Sequence, residues 1–127
     1  MEESLGKMLE EQFADLPKEY RQEVPSLKEV YRIEKTAECP SGTQGRIAAM
    51  EAFEMSHDLE HAILGRKPEE DLFSVVRSQG MLTMKEDAII KSVKGLVPFE
   101  EVNTLGGEFE LPEIEETAAK KEEEIQV

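Results

Sequence analysis

The chain has 127 residues, of which 39% are hydrophobic and 35% are charged, and its formal net charge is −14. That length is enough for one compact domain and too short for two well-buried ones. The excess of negative charge disfavours direct binding to nucleic acid or to anionic lipid, because both are themselves anionic. A single cysteine excludes an intrachain disulfide. The longest apolar run is too short to cross a membrane, and the acidic amino terminus lacks a signal-peptide pattern, so we expect a cytoplasmic protein.

The sequence predicts a helical leader over residues 1–26. Leu5, Leu9 and Phe13 recur at helical spacing, which favours a short helix over residues 4–14. Pro17 and Pro25 then interrupt the chain and leave room between them for one or two further turns.

Two segments, near 28–35 and 46–55, are predicted to form a small β-sheet. In the first, Tyr31 and Ile33 alternate with charged residues, as in a half-exposed strand. The second is apolar at both odd and even positions, so we expect it to be covered on both faces. A turn-rich stretch at 39–45 separates them.

Glu51 interrupts the apolar odd-numbered face of the second segment. A buried carboxylate is costly unless it is paired, so Glu51 needs a partner, for which Arg32 or a neighbouring subunit are candidates. The alternative is that Glu51 lies at the solvated end of the sheet.

Three to four helices are predicted between residues 56 and 104, which makes the fold class α+β. Each helix is delimited by a capping residue or proline at its start and, for the first three, by a glycine at its end. The pairs in chain order are Ser56 and Gly65, Pro68 and Gly80, Thr83 (in a capping box with Glu86) and Gly95, with Pro98 opening the last short helix.

Residues 106–127 hold eight Glu against two Lys and few large apolar side chains. Such a composition cannot bury enough apolar surface to order itself, so we expect an acidic, disordered tail. The resulting division is a leader at 1–26, a domain at 27–105 and the tail.

The sequence lacks a phosphate-binding loop and a dinucleotide fingerprint, so we assign no catalytic and no cofactor-binding residue. His57 and His61 match a short metalloprotease pattern and share a helix face at i and i+4. A catalytic zinc needs a third ligand, and paired surface histidines are the simpler interpretation. Cys39 has no second cysteine to complete a zinc pair, so we assign no metal site.

An ordered series of short motifs resembles the carboxy-terminal region of the type II secretion and type IV pilus assembly ATPases. The resemblance extends over roughly residues 15–106. Its parts, in chain order, are the turn from Cys39 to Gly45 followed by Arg46, then Glu51, then Gly80 with the 81–84 segment, then Gly95, and finally Pro98 with the 99–102 segment.

The resemblance implies part of a RecA-like hexameric motor of the cytosol, which hydrolyses ATP with Mg²⁺ and drives a platform in the inner membrane. That family carries its phosphate loop and catalytic residues upstream of the matched region, so the resemblance places none of them here. It implies structural or interface roles for Gly45, Arg46, Glu51, Gly80 and Gly95. Many relatives bind zinc through four cysteines before this point, and Cys39 is then a remnant.

The leading hypothesis is therefore a fragment of such an ATPase. It would give packing and subunit-interface surface, and hold no nucleotide site of its own. Its partners would be the rest of the motor, neighbouring subunits and, through them, the membrane platform. The alternative is a free-standing acidic adaptor that binds a basic partner. A third hypothesis is a small metalloprotein using His57 and His61.

Overall fold

Helices supply all the regular secondary structure of residues 3–105, which are the residues that this computed structural model describes. No helix in this range is long and apolar enough to span a bilayer. The predicted acidic tail lies outside it. The six helices are α1 (Glu3–Gln12), α2 (Lys18–Arg21), α3 (His57–Leu64), α4 (Glu69–Ser78), α5 (Met84–Val93) and α6 (Phe99–Val102).

The predicted capping residues begin the helices where the sequence indicates. The Ser56 hydroxyl accepts a hydrogen bond from the Leu59 amide at 3.1 Å at the start of α3. At the start of α5 the Thr83 hydroxyl accepts from the Glu86 amide at 3.3 Å, while the Glu86 carboxylate accepts from the Thr83 amide at 2.9 Å. This is the reciprocal capping box, and it satisfies two amides that a helix start leaves without an intrahelical partner.

Gly80 ends α4 by turning the chain into the left-handed region. Its φ is +92°, which a side chain would strain. A Cβ at this position would lie 2.6 Å from Cδ1 of Tyr20, so the leader packs directly on the glycine backbone. The Met81 amide donates to the Val76 carbonyl at 3.2 Å across this turn, as expected of a glycine-terminated helix.

The larger hydrophobic core joins the leader to α5 and α6. Phe13 and Leu9 of the leader are completely buried, as are Ile89 of α5 and Val102 of α6. The remaining buried members of this cluster are Leu5, Leu16, Val24, Leu27, Ala88 and Phe99. Burying an apolar side chain of this size contributes about 1.5–3 kcal/mol, so the leader and the last two helices depend on each other for stability.

A smaller core joins α3 to α4. Leu59, Val76 and Met81 are buried in it, with Leu72 and Val75 packed at its edge. Phe73 of α4 lies outside this core and is 39% exposed.

Arg77 connects the two cores. It lies at the end of α4, is only 4% exposed, and makes a bidentate contact with Glu86 of α5 at 2.6 and 2.7 Å. Its guanidinium also donates to Asp15 of the leader at 2.7 and 3.0 Å, and to the carbonyls of Met81 and Gln12. One side chain therefore ties together the leader, α4 and α5.

The pKa of Arg77 is raised above its usual value. Burial alone would lower it, but the hydrogen bonds and negative charges of Glu86 and Asp15 outweigh that effect. The guanidinium is thus a permanently charged group whose burial is compensated by two carboxylates and two backbone carbonyls.

The predicted β-sheet is wrong. The described residues, 3–105, contain no strand, and the segments near 28–35 and 46–55 belong to neither helix nor sheet. The fold class of this part of the chain is all-helical rather than α+β.

The 46–55 segment is bound to α5 by side chains instead of by a strand ladder. The Ala48 carbonyl accepts from Lys91 Nζ at 2.5 Å, and the Met50 amide donates to Asp87 Oδ2 at 2.9 Å. Lys91 and Asp87 also form an ion pair one helical turn apart. A further carbonyl, that of Glu54, accepts from the side chain of Gln79 at 3.0 Å.

Glu51 continues this line of contacts at the start of α5. Its Oε2 accepts from the Met84 amide at 3.1 Å. The contacts of the segment therefore run from Lys91, near the end of α5, to Met84 at its start. The segment follows α5 without a neighbouring strand among the described residues.

The expected coverage on both faces of this segment is also wrong. Met50, Phe53 and Met55 are between 56% and 65% exposed. Ala49 alone packs at the edge of the larger core. Apolar side chains on both sides of a segment favour its burial. They do not by themselves provide a neighbouring strand for it to pair with.

Replacing Arg77 with leucine is expected to lower the free energy of unfolding by about 3–5 kcal/mol, because Glu86 would stay buried without its cation. Urea denaturation followed by circular dichroism measures this loss. Arg32→Leu is the matched control, since Arg32 is exposed, and its effect should stay within about 0.5 kcal/mol. A loss below about 1 kcal/mol for Arg77→Leu would contradict the role assigned to this contact.

Replacing Glu51 with alanine is expected to expose the Met84 amide and to destabilise the start of α5 by about 0.5–1 kcal/mol. Hydrogen exchange at the Met84 amide, measured by NMR, should become faster. Glu54→Ala is the control, because only the backbone carbonyl of Glu54 is hydrogen-bonded in the described structure. Unchanged exchange at Met84 in Glu51→Ala would show that the carboxylate does not act as a cap.

Candidate interaction groove

An open groove of about 850 Å³ lies between the two segments that the sequence predicts as strands. Its lining comes from residues 31–33, called here its first side, and from residues 42–49, its second side. The other lining residues are Met84, Ala88 and Lys91 of α5, the 95–98 turn, Glu101, Thr104 and Leu105. The larger apolar side chains of the lining include Tyr31, Ile33, Ile47, Met84, Leu96 and Leu105.

Tyr31 fixes the first side of the groove to the start of α6. Its carbonyl accepts from the Phe99 amide at 2.9 Å. Its ring lies over Gly95, where an added Cβ would be 3.3 Å from Cε2 of the tyrosine. Gly95 also has a φ of +78°, so two independent constraints favour glycine at this turn.

The second side of the groove is held by Lys91 and by the 39–45 loop. Lys91 anchors residue 48, as described above. In the loop, the Gly42 amide donates to the Cys39 carbonyl at 3.0 Å, and an added Cβ at Gly42 would overlap the Ile33 side chain. The loop is therefore closed on itself and packed against the first segment.

The groove carries more positive than negative charge, unlike the chain as a whole. Three cations line it, Arg32, Arg46 and Lys91, against one carboxylate, Glu101. Lys91 is neutralised in part by Asp87. Arg32 and Arg46 are exposed and form no ion pair with any other described residue. Exposed guanidinium groups beside an apolar lining suit the recognition of carboxylates on an apolar segment.

The structure brings three of the five predicted structural positions to this groove. Gly45, Arg46 and Gly95 line it. Glu51 lies at the start of α5, and Gly80 lies at the end of α4, both outside the groove. The predicted pairing of Glu51 with Arg32 is not seen: Glu51 is exposed, and its carboxylate accepts a hydrogen bond from the Met84 amide. An interface role for these residues stays a prediction.

The candidate metal-binding residues do not form a group of three ligands in the described part of the chain. The His57 and His61 rings are 6.2 Å apart between centroids and lie on the exposed side of α3. His57 is 3.9 Å from Glu60, and no group of three possible ligands occurs among residues 5–105, whose side chains are described. Cys39 lies in the 39–45 loop, where its sulfur contacts the Thr43 carbonyl at 3.6 Å.

Sequence reasoning missed the Arg77 contact and the anchoring role of Lys91. The pairing of Asp87 with Lys91 could have been read from its i, i+4 spacing on a predicted helix. Arg77 gave no comparable indication, because a cation in the last turn of a helix is ordinarily a solvated residue. Its partner Asp15 is 62 positions away in the chain, a distance that no local pattern can bridge.

No protein-family model matches the chain. No solved structure shows significant similarity to it. Two curated proteins do. The type II secretion system protein E of Xanthomonas campestris pv. campestris is 34% identical over 73 residues, which are 58% of this chain and 13% of that protein. The type IV pilus assembly ATPase PilB of Thermus thermophilus is 32% identical over 62 residues, 49% of this chain and 7% of that protein.

The chain thus spans a small part of the length of the relatives it matches. The resemblance read from the ordered motifs is confirmed: over about half of its length, the chain is similar to a type II secretion system protein E and to a type IV pilus assembly ATPase.

Proposed function

We propose that this chain is part of an ATPase that powers type II protein secretion or type IV pilus assembly. Its role is to give packing and subunit-interface surface to the motor, while the nucleotide and Mg²⁺ are bound by other parts of that motor. Similarity to two such proteins is the observation that carries the proposal. The ordered motifs from Cys39 to the 99–102 segment agree with that similarity.

The exposed apolar side chains support a role in packing. Ile47, Met50, Phe53 and Met55 follow one another along the 46–55 segment and are 49–65% exposed. Leu64 at the end of α3 is 73% exposed. Exposed apolar groups in this density mark surfaces that contact another protein. The partners that we propose are the rest of the motor domain and its neighbouring subunits, which in turn act on a platform in the inner membrane from the cytoplasm.

The purified chain is expected to show no ATP hydrolysis above a blank, because the proposal places the phosphate-binding and catalytic residues outside it. A coupled assay with excess ATP and Mg²⁺ measures this. The control is the same preparation after treatment with a metal chelator. Turnover that the chelator abolishes would overturn the proposal that this chain lacks a nucleotide site of its own.

A free-standing acidic adaptor is the second candidate function. The observation in its favour is that the chain forms a hydrophobic core from its own residues. In this core Leu9 and Phe13 of the leader and Ile89 of α5 are completely buried. An adaptor of this kind would bind a basic partner through its negative surface.

Analytical ultracentrifugation combined with urea denaturation separates the two functions. A part of a larger motor is expected to self-associate through its exposed apolar segment, and Met50→Glu with Phe53→Glu should reduce that association. Lys94→Glu, which changes charge at an exposed position away from that segment, is the control. A chain that stays monomeric at high concentration and unfolds in one cooperative step would favour the adaptor.

A further inference from the structure

The interaction groove is large enough to hold a short stretch of peptide. Its volume of about 850 Å³ falls within the range of about 300–1,000 Å³ that is usual for ligand-binding clefts. Several large apolar side chains of its lining are between 43% and 59% exposed, namely Tyr31, Ile47, Met84 and Leu96. Apolar groups that share an exposed concave surface favour contact with apolar groups of a partner.

The backbone on both sides of the groove carries hydrogen-bonding groups that have no partner among residues 3–105. On the first side these are the amides and carbonyls of Arg32 and Ile33. On the second side they are the backbone groups of residues 44–47. A peptide backbone that lies between two such segments can hydrogen-bond to both of them, which is how many proteins bind an extended peptide.

The charge of the groove is opposite in sign to the charge of the chain. Arg32, Arg46 and Lys91 line the groove together with one carboxylate, Glu101, whereas the chain has a net charge of −14. Arg32 and Arg46 are exposed and form no ion pair with another described residue. At physiological ionic strength the Debye length is about 8 Å, so these local cations outweigh acidic residues farther away.

This charge selects the kind of peptide that the groove suits. Guanidinium groups form charge-assisted hydrogen bonds with carboxylates, and they repel the ammonium and guanidinium groups of a basic peptide. The apolar lining requires apolar side chains in the same peptide. The matching occupant therefore combines acidic with apolar side chains.

We propose that this groove binds an extended peptide segment of a second protein in which acidic and apolar side chains alternate. Carboxylates of that segment contact Arg32 and Arg46, its apolar side chains contact Ile47 and Leu96, and its backbone hydrogen-bonds to both sides of the groove. This inference does not depend on the proposed motor function, since it rests on the lining of the groove alone. It also differs from the adaptor, for which a basic partner is expected.

Titration of the full-length chain with a synthetic hexapeptide of alternating Glu and Leu tests the proposal. The NMR amide signals of residues 31–33, 44–49 and 95–97 are expected to shift as peptide is added. Raising the salt concentration from about 0.01 M to about 1 M should weaken binding, because the Debye length falls from about 30 Å to about 3 Å. A hexapeptide of alternating Glu and Ser is the matched control and should bind much more weakly. The proposal would be overturned by an absence of shifts at millimolar peptide, by shifts centred outside the groove, or by equal binding of the two peptides.

Charge reversal tests the assigned ion pairs. Arg32→Glu with Arg46→Glu is expected to weaken binding of the Glu–Leu peptide roughly three- to tenfold, the effect of losing two exposed ion pairs. Lys18→Glu with Lys67→Glu makes the same change of charge at exposed positions outside the groove, and it should leave the affinity nearly unchanged. All four residues are exposed, so both variants should keep the fold, which circular dichroism checks. Equal losses in the two variants would show that the peptide responds only to net charge, and the proposal would fail.

Peptide binding can be separated from the self-association expected of the 46–55 segment. Met50→Ser with Phe53→Ser removes exposed apolar groups without adding charge, and neither residue lines the groove. This variant should bind the Glu–Leu peptide with unchanged affinity even where its self-association is reduced. Loss of peptide binding in this variant would place the peptide on that segment rather than in the groove, and it would contradict the proposal.

Discussion

The contact between Arg77 and the carboxylates of Glu86 and Asp15 is the interaction on which the rest of the described structure depends. It joins a helix of the smaller core to the first turn of α5 and to the leader. Glu86 serves twice, because the same carboxylate that caps its own helix also neutralises the buried guanidinium. The position of α5 is therefore set by charge at its start and by apolar packing along its length, and the interaction groove is built on that helix.

Next to this contact, side chains of α5 bind a segment that has no regular secondary structure. Asp87 and Lys91 form hydrogen bonds with the backbone at residues 50 and 48. The Met84 amide at the start of α5 donates to the Glu51 carboxylate. Such side-chain bonds satisfy fewer backbone groups than a strand ladder would. The 46–55 segment consequently has both a defined path and much exposed apolar surface.

The helices from 57 to 102 could be predicted from the sequence because their starting and ending residues act locally. Ser56, Thr83 and Gly80 perform in the structure the capping and turning roles that their chemistry indicates. The absence of a sheet could not be predicted, because alternation of apolar and polar residues does not show whether a segment has a hydrogen-bonding neighbour. The groove could not be predicted either. Arg32 and Arg46 line a common groove because the start of α6 holds one of their segments and α5 holds the other, and that arrangement is tertiary.

The close approach of Tyr20 to Gly80 has a consequence for how the molecule opens. The Tyr20 ring packs directly against the Gly80 backbone at the turn between α4 and α5, with no side chain between them. Displacement of the leader would expose that turn. It would also break the contact between Asp15 and the guanidinium of Arg77. Unfolding of the leader would therefore also remove one of the two carboxylates that neutralise the buried guanidinium of Arg77.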